Sequence, residues 1–539
     1  MNDPGVAPPA NGARSRRIVS VLAQPASGLP IFIVVAGTVS LLLGIDANWD
    51  LKNYHYYNPW ALLHGRWQLD SAPAFIQTFH NPLPDLPFYA LVASGLPASL
   101  IEFALGVPVG VGAYFFFRIA RDLVGDLRIE HEGWALAAIC VVAFTGSACL
   151  STAGTTTNDW LVAAFVLPAL FLMLRATRSR NIAIAGLLLG MAAGLKLTAA
   201  PYAVAGIVLA LAGLARGGNR YRASLLLAAF AFVGFALAYG YWASVLYARF
   251  DNPLFPYFNQ IFRSEYWDPV NTIDERFRPR TLSAWLTWPF RLAERNRLMT
   301  EVDMREPRLA ALTLVALSLA IIVATDAVRT RRSVAAVVRE RTPPSVRRVA
   351  IYTGAAYVCW LATSAVYRYT VPAELLASLL LVVGLHAVLS GAKYRSVLVG
   401  VACVTIVAQT LVPNWGRVRA HNGPYFDVRV PLATGDAMVL TTESPLAYLV
   451  PFMAPGARLM RLMGPYQDRP FPHRTQQQMH AQVAAHDGPL LVLRWSDTVD
   501  RNEEAMLAGY ALVRQDDRCE VVRSNVESRR LEICPLARR

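Results

Sequence analysis

The sequence predicts an all-α polytopic membrane protein of about eleven transmembrane helices, with interfacial helices in its first outer loop and a small C-terminal α/β extracytoplasmic domain. Three observations predict it. The 539 residues are 55% hydrophobic and only 16% charged, with a mean hydropathy of +0.35, above what a water-soluble domain of this size shows. The basic residues fall in short clusters between apolar runs, the pattern of cytoplasmic loops, so the net charge of +14 is not read as a nucleic-acid face. After residue 412 the composition turns mixed polar.

Residues 1–17 read as a disordered cytoplasmic arm ending in Arg14, Arg16 and Arg17. Ile18 to Ile45 carries no charge and is long enough to cross about 30 Å of hydrocarbon as an uncleaved first helix. The outer loop 46–99 is divided by Pro59, Pro73, Pro82, Pro84, Pro87 and Pro97 into short pieces expected to lie along the interface. Further spans are expected near 100–117, 133–150, 160–174, 181–195, 199–215, 223–247, 308–325, 349–366, 371–390 and 396–412. Counted this way, 21 Lys and Arg fall on the cytoplasmic side and four, Lys52, Arg66, Lys196 and Arg368, in the short outer loops. A further span at 86–96 would move Arg118, Arg121 and Arg128 outside, against the positive-inside bias, and is not assigned.

A second outer loop, 248–307, holds nine basic and nine acidic residues and has no net pull on topology. In the region 413–539, DAMVLTT and PLLVLRW read as strands and TVDRNEEAMLAG as a helix. Four of the six cysteines, Cys140, Cys149, Cys359 and Cys403, lie in apolar spans as small hydrophobes. Cys519 and Cys534 flank two strand-like runs, and an antiparallel hairpin there would bring them together as a disulfide in an oxidising compartment; the alternative is two free thiols.

Ionisable groups at the ends of spans are functional candidates. Asp50, Asp159, Lys196 and Arg368 fall on one face. Two carboxylates and two cations suit a reaction that deprotonates a hydroxyl and expels a phosphate, with a carboxylate as base and the cations on the departing oxygens.

Asp50, Tyr54, Ala61 and Gly65 in DLKNYHYYNPWALLHGR, the stretch HNPLPDLPFY, Asp159 after STAGTTTN, Lys196 in GLLLGMAAGLKLTAAPY, ARFDNPLFPYFN, and Arg368 in YRYTVPAELL together resemble the GT-C type membrane glycosyltransferases. This group includes protein O-mannosyltransferases and the aminoarabinose transferases of lipid A, which use polyprenyl-phosphate or polyprenyl-diphosphate sugars. The resemblance implies a GT-C-like catalytic domain over 18–412 in the bacterial inner membrane, with a periplasmic domain at 413–539. It implies inverting transfer from a polyprenyl-linked sugar to a glycan, lipid or protein acceptor. Asp50 would then be the general base and Asp159 a positioning group, with Lys196 and Arg368 on the lipid phosphate. Tyr54, His80 and Glu265 are further substrate-binding candidates, Glu265 with Trp267 and Asp268 on a lid. The Asp-Glu or Asp-x-Asp pair of the family is absent at Asp50, where Leu51 and Lys52 follow, so a divalent metal, Mg or Mn, stays an open expectation.

Other readings of the same residues stand beside these. Asp50 and Asp159 could cap helices, Lys196 could snorkel, Arg368 between two tyrosines could anchor in an aromatic belt, and Asp46 competes as base. His80 suits a structural hydrogen bond. Gly186, Gly190 and Gly194, every fourth residue, suit close helix packing. For the whole chain the rivals are a transporter or flippase, which would show pseudo-symmetric halves and charges near the midplane, and a non-catalytic envelope-assembly protein.

Overall fold

A computed structural model describes residues 18–66, 69–129, 131–214, 219–297, 300–462, 473–497 and 501–539. The N-terminal arm, Trp67 and Arg216 lie outside them. Among the described residues, five helices are long and apolar enough to cross a membrane: Pro25–Leu43, Ala98–Leu127, Arg220–Phe250, Arg308–Thr330 and Tyr367–Val388. Most other apolar stretches form shorter helices, such as Glu132–Phe144, Asp159–Leu174, Ser179–Leu195 and Arg395–Gln409. The first apolar stretch is not one helix. It bends at Gln24, because Pro25 opens the next helix and supplies no backbone N–H. Leu86–Ala93 is a helix of eight residues, about 12 Å long and far short of a span.

The helices Ser179–Leu195 and Arg220–Phe250 meet along the glycine repeat. A Cβ on Gly190 would stand 1.9 Å from the Ala231 carbonyl oxygen, and one on Gly186 2.4 Å from that of Leu227. The repeat is therefore a packing seam, and its last glycine, Gly194, stands two residues before Lys196, where the Ser179–Leu195 helix ends. Asn81 of the first outer loop donates to the Gly194 and Ala238 carbonyls at 2.9 and 2.8 Å, seating that loop on the seam's outer end.

Among the described residues there are nine strands. β1 (Ile45–Asp46) pairs antiparallel with β2 (Arg417–Val418), joining the start of the first outer loop to the segment after the Arg395–Gln409 helix. The remaining seven, β3 (Val428–Arg429), β4 (Met438–Thr441), β5 (Arg458–Arg461), β6 (Leu490–Trp495), β7 (Leu512–Arg514), β8 (Glu520–Ser524) and β9 (Leu531–Arg538), form one sheet ordered β3-β8-β9-β6-β4-β5, with β7 also against β9. β4 is parallel to both β5 and β6, and the other pairs are antiparallel. Cys519 and Cys534 are joined as a disulfide across β8 and β9.

The sheet is buried on both faces, so alternate residues enter different cores. Val439, Leu459, Leu491 and Ile533 pack with Leu51, Tyr54 and Tyr57 of the first outer loop. Leu440, Met460 and Val492 pack with Phe250, Phe255 and Trp267 of the second. Arg66 strengthens the first contact. It pairs with Asp70 and donates to the Pro455 and Ala457 carbonyls, while Asp70 accepts from Leu459 N–H at 2.9 Å. The C-terminal domain is thus part of the site's wall.

Gly190→Val forces a branched side chain into backbone across the seam. We expect a loss of about 1–3 kcal/mol, read as a lower unfolding midpoint in detergent; an unchanged midpoint contradicts the packing role.

Candidate active site

The residues that gather around Asp50 come from four separate segments. Asp50 precedes a π-helical turn, Leu51–His55, in which the backbone bonds reach one residue further than in an α-helix. The widened turn turns both Tyr54 and His55 to the side of Asp50; in an α-helix a residue five positions on would lie roughly 140° away. Asp50 makes no capping bond. Its buried carboxylate, 6% exposed, pairs with Arg368 of the turn Tyr367–Thr370. Burial raises the carboxyl's proton affinity, but the Arg368 guanidinium outweighs it and holds Asp50 below the ordinary carboxylate value.

The second pair is built alike. Asp159 follows Asn158, which takes a left-handed φ of 63°, and caps nothing with its side chain. Lys196, at the break after the Ser179–Leu195 helix, pairs with Asp159 and donates to the Thr157 carbonyl at 2.7 Å. It therefore turns inward and does not snorkel. Both cations lie over one ring, Tyr369, with Lys196 Nζ 4.7 Å and the Arg368 guanidinium 5.4 Å from its centroid. Both ion pairs thus sit against the same aromatic ring. Arg368 also stacks on Trp415, 5.4 Å away, which lines a cavity of about 700 Å³ walled by Leu41, Leu43, Leu150 and Val412 and edged by Arg417 and Arg419.

Asp46 is committed elsewhere. It accepts from Asn48 N–H at 3.0 Å, Asn48 Nδ2 at 2.9 Å, and both Thr156 N–H and Thr156 Oγ–H at 2.8 Å. Three of these donors meet on Oδ2 and one on Oδ1, and the residue is wholly buried. It ties the first outer loop to the loop before Asp159.

Tyr54 lies tilted against His55 with centroids 4.1 Å apart and meets His80 edge-on at 5.1 Å. His80 Nε2 lies 2.8 Å from the Tyr257 hydroxyl. Burial pushes the His80 imidazole down to about 4, so it is neutral at pH 7. Glu265 does not join the site. Its side chain is 79% exposed and lies 3.4 Å from Arg474, while its carbonyl accepts from Arg474 N–H. The expected lid is instead a wall, because Trp267 is buried beside Phe75 and Phe255.

Two residues absent from the sequence reading complete the cluster. Asp85 Oδ1 lies 2.7 Å from His55 Nδ1 and accepts from Asn158 Nδ2 at 2.7 Å. Burial raises the Asp85 carboxyl above its ordinary value, with His55 opposing the rise. For a divalent metal the donor set fits poorly. Asp50 and Asp159 each face a cation that the ion would have to displace, and the one close metal-type group among the described residues, Cys519, Glu532 and Cys534, has both sulfurs in the disulfide. Comparison with known protein families, curated proteins and solved structures found no match for this chain.

The low proton affinity of His80 gives a signed pH dependence. Between about 4 and the ordinary 6.5 an unfolded His80 binds a proton and the folded one does not, so stability falls as pH drops through that window. His80→Asn should flatten the decline in unfolding midpoint from pH 6.5 to 4. An equally steep decline in the variant contradicts the burial of a neutral His80.

Proposed function

We propose that the protein is a membrane glycosyltransferase of the bacterial inner membrane, moving a sugar from a polyprenyl-phosphate or polyprenyl-diphosphate carrier to an acceptor hydroxyl at the outer face, with inversion. The observation that carries this reading is the pair of buried carboxylate–cation bridges, Asp50–Arg368 and Asp159–Lys196, flanking Tyr369. A buried cation needs a counter-ion. An incoming phosphate diester can replace a carboxylate as that counter-ion, whereas a neutral ligand cannot.

In this reading eleven spans place both bridges on the periplasmic side, together with the C-terminal domain. Lys196 and Arg368 hold the phosphate and stabilise the charge that grows on it as the bond to the sugar breaks. Asp159 keeps Lys196 in place and orients the incoming sugar. The face of the Asp50–His55 turn meets the acceptor and supplies the base, a role that the family resemblance alone puts at Asp50. The apolar cavity ending at Trp415 offers the isoprenoid chain a course along Leu41–Leu43 up to Arg368.

Asp50→Asn and Lys196→Ala should each lower transfer from a polyprenyl-linked sugar by on the order of 100-fold or more in purified protein. Unchanged transfer in either variant contradicts the assignment of that residue. Flux of intact lipid-linked sugar across vesicles with no covalent product contradicts the enzymatic reading as a whole.

A further inference from the structure

His55 is the one imidazole at this site arranged to receive a proton. Its ring is 2% exposed, and Nδ1 lies against Asp85 Oδ1. Asn158 Nδ2–H, which can only donate, reaches the same oxygen, so Oδ1 acts as an acceptor for both neighbours. The proton of neutral His55 then sits on Nδ1, and the lone pair sits on Nε2. That Nε2 is buried and has no hydrogen-bond partner among the described residues. A buried acceptor without a donor is costly and is satisfied only when a donor arrives. A carboxylate holding one imidazole nitrogen so that the other faces a reacting hydroxyl is the working geometry of a general base.

Asp50 is less suited to that task. Its charge is neutralised by Arg368, which also depresses its proton affinity, and a base is most effective when its affinity matches the working pH. The other ionisable groups around His55 leave it the role. Asp85 orients it. Tyr54 packs against it, and His80 stays neutral. The cations Lys196 and Arg368, from two other segments, are each paired with a carboxylate.

We infer that His55 Nε2, oriented by Asp85 and Asn158, takes the proton of the acceptor hydroxyl, and that Asp50 is the counter-ion of Arg368 until the lipid phosphate replaces it. This deepens the glycosyl-transfer reading and rests on it. The acceptor oxygen forms a bond to the sugar's anomeric carbon. The bond from that carbon to the phosphate oxygen breaks, and its electron pair leaves with the lipid phosphate. The hydroxyl proton ends on Nε2, leaving an imidazolium whose Nδ1–H is held by the Asp85 carboxylate, and passes to water when the products leave. The acceptor class is a neutral alcohol.

The test uses the full chain in nanodiscs, with the polyprenyl-linked glycolipid fraction extracted from the membranes that make the protein as donor, and an extract of the same cells' envelope as acceptor. His55→Gln should lower kcat by 100-fold or more and remove the acid limb of the pH profile. Asp50→Asn should slow the reaction but keep that limb, and Asp85→Asn should lower kcat with little change in KM. Added imidazole should restore part of the rate to His55→Ala, a rescue that a structural role for the ring would not show. A limb kept in His55→Gln but lost in Asp50→Asn, with no imidazole rescue, assigns the proton to Asp50 and overturns the inference alone. Wild-type protein that moves no sugar from the lipid contradicts the glycosyl-transfer reading and the base role with it. Unfolding midpoints of the variants separate misfolding from lost chemistry, and ¹⁵N spectra of histidine-labelled wild-type protein give a readout free of turnover: His55 protonated on Nδ1 supports the dyad, and on Nε2 contradicts it.

Discussion

The Asp50–Arg368 bridge is the interaction on which the arrangement of this site turns. A buried charge loses much of its hydration, and breaking a buried pair by removing one partner costs about 3–5 kcal/mol. The bridge therefore clamps the first outer loop to the turn Tyr367–Thr370, more than three hundred residues away in the chain. The second bridge, Asp159–Lys196, does the same for the loop before the Asp159–Leu174 helix. Everything that fixes the position of these four side chains serves the site.

Three devices do so. The glycine seam between the Ser179–Leu195 and Arg220–Phe250 helices sets the height of Lys196, and Asn81 registers the first loop on the same seam. Asp46 ties that loop to Thr156, next to the backbone carbonyl that receives Lys196. From the other side the C-terminal sheet closes on the loop through Arg66, Asp70 and the apolar face of β4 and β6. The domain that reads as an appendage in sequence is a supporting wall in the fold. A ligand that opened the bridges would have to offer charge of its own, which is the ground on which a phosphate is proposed for the site.

Much of this was legible in the residues and some was not, for physical reasons. Asp50, Asp159, Lys196 and Arg368 stand out because charges next to long apolar runs are rare and need a reason. Their pairing could not be read, since it depends on which helices touch. His55 was hidden by the π-helical turn, which has no sequence signature and moves a residue five positions on from Asp50 to its side. Asp85 lay in a proline-rich stretch that gave no periodicity to place it. Glu265 failed in the opposite sense: in a loop with as many acids as bases, a carboxylate is as free to meet an arginine at the surface as a substrate, and it meets Arg474. In the C-terminal domain β4 and β6 announce themselves as apolar runs, whereas β5, bounded by Arg458 and Arg461, does not. Its parallel pairing with β4 follows from a crossover that no local pattern specifies.

On the proposed function the two bridges are a phosphate site held shut by carboxylates. A cryo-electron microscopy structure of the full chain in nanodiscs with a polyprenyl phosphate would then show phosphate density against Lys196 and Arg368 beside Tyr369, with Asp50 released from Arg368 and the isoprenoid chain running past Trp415. Saturating lipid phosphate that leaves both bridges intact, with its density elsewhere, would contradict it.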